Sequence, residues 1–213
     1  SSPGFKRCLP KRKYYLSHNF DEGAVRETLN KTLSGLFKVE NTIDVLTIGA
    51  IRDYSSNIEV TKALCKQDGF KLRFVGKGQG TVEKIQKYCR EVDAKNVSFI
   101  GFYDKQQEAE YVKSCTFMNI FYPRVITHDT ALSNRFYNSL IYKKPMIVTK
   151  GTTQGDYAEM YQVGVVVENC NNLTEDLKTF LEKDYNDYTK RCNDLLMLFL
   201  NDQHKFVNVV KNF

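Results

Sequence analysis

The sequence is short of the features that mark a membrane, metal or disulfide protein. Its longest apolar runs, residues 195–200 and 163–167, fall far below the roughly 20 residues a bilayer-spanning helix needs. Only three histidines are present, scattered at 18, 128 and 204, and the six cysteines (8, 65, 89, 115, 170 and 192) include no Cys-x-x-Cys pair. That pattern argues against a zinc site or a disulfide framework and suits reduced, buried thiols in a cytoplasmic protein. There is no Asp-x-Asp pair, no Gly-Lys-Ser/Thr phosphate loop, no internal repeat and no low-complexity stretch. The opening Ser1-Ser2-Pro3-Gly4 has no initiator methionine and none of the charge or apolar character of a secretory signal. The chain therefore reads as a processed form or a fragment, and a fragment is the expectation.

What is present fits a globular α/β protein. With 213 residues, 42% hydrophobic and 26% charged, the chain can build one core, or one domain with an appendage. The net charge of +6 is dispersed except at Lys11-Arg12-Lys13, followed by Tyr14-Tyr15. A solvated approach to a strand is the better reading of that cluster, because the aromatic interleaving that single-stranded nucleic acid needs is not repeated. No nucleic-acid partner is expected, and membrane contact only at the periphery.

From residue 43 onward, short apolar runs (43–48, 71–75, 97–100, 116–121, 145–148 and 163–167) alternate with amphipathic segments (57–66, 82–92, 106–114 and 134–142). Near-continuous apolar runs suit strands buried on both faces of a parallel sheet, and the alternation implies βαβ units. The predicted fold is a doubly wound, mostly parallel Rossmann-like sheet with helices on both faces. Residues 13–17 look strand-like, 21–40 read as a connector, and 173–213 as a run of helices carrying a dense apolar stripe.

Several segments at predicted strand ends carry candidate chemistry. Gly49-Ala50-Ile51-Arg52 offers either close ligand approach with a phosphate-pairing arginine, or an ordinary turn. Gly76-Lys77-Gly78-Gln79-Gly80 is either an anion-accepting loop or a flexible turn. Residues 122–148 are the most informative: Ser133 is a plausible helix N-cap, so the first-turn amides point out of the sheet's carboxyl edge. Asn134 and Asn138, four apart, either read sugar hydroxyls or satisfy neighbouring backbone. Thr152-Thr153-Gln154-Gly155-Asp156 either faces the same crevice or caps the next helix, and His128 reads as a hydrogen-bonded loop residue.

Taken together these pieces resemble the C-terminal domain of retaining glycosyltransferases with the GT-B fold, in the large bacterial group that builds capsular and lipid-linked polysaccharides. The opening strand with Gly49 and Arg52, the Val75-Gly76-x-Gly78 turn, and Val97-x-Phe99-x-Gly101 match that family in order and spacing. Asn134-Arg135-Phe136-Tyr137-Asn138 followed by Lys144-Pro145-Met146-Ile147 is similar to its Asn-Lys-x-x-Glu helix and Lys-Pro-x-Ile strand. Residues 2–5 and 15–21 are similar to the end of its N-terminal domain and the hinge. The resemblance divides the chain into a remnant of the acceptor domain and hinge (1–22), a connector (23–42), the nucleotide-sugar-binding domain (43–200) and a C-terminal helix packing toward the missing domain (201–213). Two positions depart from the family, which places glutamates where Thr130 and Asn138 stand here. The lysine usual in the first βα loop is also absent, leaving Lys77 as its candidate substitute.

The resemblance implies a parent enzyme that transfers a sugar from a nucleotide diphosphate donor to a saccharide or lipid-linked acceptor, in the cytoplasm or at the inner membrane face. Arg52, Lys77 and the amides from Ala131 through Leu132 and Ser133 to Asn134 would stabilise the departing diphosphate, and Thr130 would stand near the donor sugar. Gly49, Gly76 and Gly78 would let the donor approach, Phe102 and Tyr103 would flank the base, and Asn138 would meet the ribose. No metal cofactor is expected. A rival is a non-catalytic nucleotide-binding or interaction module with a degenerate donor site. A dinucleotide-dependent oxidoreductase would need an acidic residue at the end of the third strand, where Ile100-Gly101 stands.

Overall fold

Six runs of β-branched and large apolar residues form parallel strands: β1 Ile43–Ile48, β2 Phe70–Val75, β3 Val97–Ile100, β4 Phe117–Ile120, β5 Met146–Thr149 and β6 Gly164–Val167. They lie in the order β3-β2-β1-β4-β5-β6 in a computed structural model that describes residues 2–11, 13–31, 37 and 42–212. The predicted doubly wound sheet is therefore present. Every residue of β4 and β5 is buried, whereas the edge strands β3 and β6 are partly open, as expected when helices cover both faces of the centre.

The helices are α1 Glu22–Leu29, α2 Tyr54–Leu64, α3 Thr81–Glu91, α4 Glu108–Ser114, α5 Ile126–Thr130, α6 Asn134–Ile141, α7 Thr153–Tyr161, α8 Leu173–Leu181 and α9 Tyr185–Lys211. The winding reverses between β1 and β4, which opens a crevice at their carboxyl ends where open α/β sheets take ligands.

Three expectations need correction. Residues 13–17 join no sheet; they run as an extended strap whose next residues pack on helices instead. His128, expected in a loop, lies in a helical turn, Ile126–Thr130, closed by amides of His128 and Asp129 on the Val125 carbonyl. Position 200 is no boundary, because α9 continues unbroken across it. Of the connector expected at 23–42, the start belongs to α1, whereas residues 32–36 and 38–41 lie outside the described residues, as does Arg12 of the basic cluster.

The strap and α1 are fastened to α6 and α9. The His18 amide donates to Gln203 Oε1 (2.8 Å), its Nδ1 lies 2.9 Å from the Tyr137 hydroxyl, and its ring packs on Phe199 at 4.6 Å between centroids. Further on, the Thr28 hydroxyl donates to the Ile141 carbonyl. The His18 side chain is fully buried, with Asp202 3.7 Å from Nε2. Burial lowers its pKa from 6.5 to about 4, although the Asp202 charge pulls the other way.

A histidine held neutral in the fold and free to protonate in the unfolded chain contributes stability above its unfolded pKa. That contribution is lost as pH falls from about 6.5 towards 4, up to about 3 kcal/mol for the full shift. Melting temperatures recorded from pH 7 to pH 4.5 should fall in the wild type and fall distinctly less in His18→Phe. Parallel curves for the two proteins would assign the acid sensitivity elsewhere.

Candidate functional site

The carboxyl ends of β1 and β2 are continued by two loops that pack backbone to backbone. Gly49 N donates to the Val75 carbonyl and Ile51 N to the Lys77 carbonyl, so the parallel ladder runs beyond the strands themselves. Gly76 and Gly78 make this approach possible. A Cβ on Gly76 would lie 2.0 Å from the Gly49 carbonyl oxygen, and one on Gly78 would lie 1.7 Å from that of Ile51. These two glycines serve loop packing, a role the sequence left open. Gly49 differs: at φ +95° its free face meets only the Tyr103 hydroxyl, 3.9 Å from a built Cβ.

Arg52 is exposed at the end of the first loop, where its carbonyl accepts from the Thr81 hydroxyl. Lys77 is exposed on the second, with its ammonium 5.2 Å from the centre of the exposed Phe102 ring. Among the described residues neither cation has a carboxylate partner. Two uncompensated positive charges on adjacent loops at the carboxyl edge favour an anion there.

Across the crevice stands α6, tied to the first loop by a residue that sequence reasoning passed over. Arg135 is buried and donates to the carbonyls of Ile48 (2.5 Å) and Ala50 (2.8 Å), with a longer contact to Asn119 (3.5 Å). Its guanidinium also lies over the Tyr122 ring, which stacks on His128, and His128 Nε2 lies 3.8 Å from Asp53. The arginine thus fixes α6 against the loop that carries Arg52.

Ser133 caps α6 as predicted, accepting from the Phe136 amide, while its own amide and hydroxyl both donate to Gln154 Oε1. That leaves the amides of Asn134 and Arg135 as the pair a first turn offers without an intrahelical partner. Gln154 is buried, and only its place in a polar run after a strand hinted at a role. Thr152 caps α7 through the Gly155 amide, the bland alternative for that segment.

The remaining candidates divide. Ala131 and Leu132 form the half-buried lead into α6. Thr130 is buried, its hydroxyl spent on the Ile126 carbonyl and its backbone covered by Gly4, so its side chain presents nothing to a ligand. Asn134 accepts from the Asn19 amide (2.9 Å), and Asn138 donates to Glu108 Oε1 (2.7 Å).

Glu108, at the start of α4, was missed entirely. It gathers the Tyr103 hydroxyl (2.6 Å), the Lys105 ammonium (2.5 Å) and the Asn138 amide on one carboxylate. Burial opposes its ionisation, but the hydrogen bonds from Lys105 and Tyr103, the Lys105 charge and the Asn138 amide outweigh it and lower its pKa. Burial, then Glu108 itself, pushes the Tyr103 hydroxyl well above its ordinary range, so it stays a donor. Glu108, Asn134 and Asn138 also line a cavity of about 480 Å³ bounded by Asn19, Asp21 and Tyr137. Among the described residues no cluster of His, Cys, Asp or Glu has the makings of a metal site.

No known family pattern and no curated protein sequence matches the chain. Solved structures do share its fold. Anabaena Alr3699/HepE in complex with UDP is 12% identical with a TM-score of 0.68, over 91% of this chain and 54% of that one. The C-terminal domain of a glycosyl transferase group 1 family protein (LpcC) from Francisella tularensis is 12% identical with a TM-score of 0.57, over 86% and 94%. WaaG, a glycosyltransferase involved in lipopolysaccharide biosynthesis, is 14% identical with a TM-score of 0.55, over 78% and 42%. The chain spans about half the length of HepE and nearly all of the LpcC domain.

Proposed function

We propose that the chain is the donor-binding domain of a glycosyltransferase, holding a nucleotide diphosphate sugar at the β1–β4 crevice. The observation that supports this reading is that the loop carrying Arg52 is packed against the loop carrying Lys77 through Ile51 N and the Lys77 carbonyl, and is tied by Arg135 to the start of α6, whose first-turn amides are open. Sugar transfer builds negative charge on the departing diphosphate. Preoriented cations and helix amides stabilise that charge without reorganising. The protein's own groups supply the compensation in this reading, so no divalent metal is assigned. HepE, which shares the fold, is known in complexes with UDP and with UDP-glucose, which supports a nucleotide-sugar ligand for the same architecture here.

The parent enzyme would pass the sugar to a saccharide or lipid-linked acceptor in polysaccharide synthesis, in the cytoplasm or peripherally at the inner membrane face. Residues 1–22 are read as the end of the acceptor-binding domain and the hinge, and the end of α9 as packing toward that domain.

Calorimetric titration with UDP, ADP and GDP tests the reading. One of them should bind the wild type, and Arg52→Ala should weaken it at least about tenfold, the worth of one charge-assisted contact. The exposed position predicts an unchanged melting temperature. Equal affinity in Arg52→Ala, or no nucleotide binding at all, would sink the assignment.

A further inference from the structure

We propose that Glu108 is the residue that reads the ribose hydroxyl pair of the bound nucleotide, with Asn138 as the residue that positions it. This deepens the nucleotide-sugar reading and rests on it.

The geometry runs from the first turn of α6 outward. Asn134, whose amide is one of the two left open, and Asn138 lie one turn apart on the same face, about 6 Å along the axis. That is a span the ribose of a nucleoside diphosphate bridges from its phosphates. At the far end of it stands not the Asn138 amide alone but the Glu108 carboxylate, which Asn138 holds through Oε1. Tyr103 holds the other oxygen and sits beside the open face of Gly49, so the same carboxylate connects the crevice to the cavity of about 480 Å³.

An ionised carboxylate only accepts, and its two oxygens offer about four lone-pair sites. Three are occupied here, by Tyr103, Lys105 and Asn138, and the Lys105 side chain is largely in solvent. Release of that exposed ammonium frees a second site, and a pair of vicinal hydroxyls can then donate to both oxygens, as acidic residues do with ribose in other doubly wound folds. Asn138 cannot take this role itself, because its amide nitrogen is committed to Glu108 and an amide carries a single acceptor oxygen.

The test compares whichever of UDP, ADP or GDP binds with its 2′-deoxy counterpart. The wild type should prefer the ribonucleotide by about tenfold or more, the worth of one hydrogen bond to a charged group. Glu108→Gln should bring the two affinities within about twofold of each other. Asn138→Ala should shrink the preference without abolishing diphosphate binding, and Asn138→Gln should restore part of it. If Glu108→Gln fails to fold, the two Asn138 variants carry the comparison.

A wild type that binds both nucleotides equally, or a Glu108→Gln protein that keeps the full preference, overturns the inference while leaving the donor-domain reading intact. A preference untouched in both Asn138 variants overturns the positioning role. Absence of any nucleotide binding by the wild type overturns the donor-domain reading and this inference together.

Discussion

Replacing Arg135 by methionine is expected to lower the melting temperature by roughly 12 °C, a loss of about 4 kcal/mol for a chain of this size. Methionine fills similar space and spares the cost of a buried charge. It leaves the carbonyls of Ile48 and Ala50 without donors, however, in a crevice that Tyr122 and α6 close. An unsatisfied buried acceptor costs more than its hydrogen bond gained, so the loss outweighs the relief of desolvation. Arg135→Lys should recover only part of the stability, because an ammonium cannot replace a planar fork that reaches two carbonyls at once. Thermal melts of the three proteins decide it. A methionine variant within 2 °C of wild type, by roughly the same scaling, would show that the arginine is not what holds α6 to the first loop.

The glycines of the second loop should be nearly as unforgiving. A Cβ at Gly78 would meet the Ile51 backbone, and one at Gly76 would meet Gly49 while also carrying a φ of +129°. In both cases the obstacle is main chain, which has no rotamer to yield. Gly76→Ala adds left-handed strain to overpacking and should cost about 3 kcal/mol or more in urea unfolding. Nucleotide affinity should collapse with it, since Lys77 moves with the loop. Gly101→Ala is the control: nothing lies within 4 Å of its Cβ, and about 0.5 kcal/mol or less is expected. If Gly76→Ala matched Gly101→Ala, the two loops would not be packed as described.

The sheet was legible because β1, β4 and β5 are buried on both faces, and that burial writes itself into sequence as unbroken apolar runs. Ser133 was legible for a similar reason, since a cap acts on residues three positions away. What escaped notice acts across distance in the chain. Arg135 meets a carbonyl 87 residues earlier, Asn138 meets a carboxylate 30 residues earlier, and Gln154 reaches back 21 residues to Ser133. No local spacing encodes such meetings. The strand expected at 13–17 failed on the same ground: a strand-like composition licenses a strand, but only pairing with a sheet edge makes one. Gly76 and Gly78 were noticed as phosphate-loop candidates, whereas their packing partners are the backbone of the neighbouring loop.

The length of α9 has a mechanical consequence. Its 27 residues form a rod about 40 Å long, which carries Tyr185 and Tyr188 against Phe37 and Phe180 near one end. Near the other, Asp202, Gln203 and His204 grip His18 and Glu22. A continuous helix has no slack joint along its length. It therefore couples the packing of residues 18–22 at one end to that of Tyr185 and Tyr188 at the other.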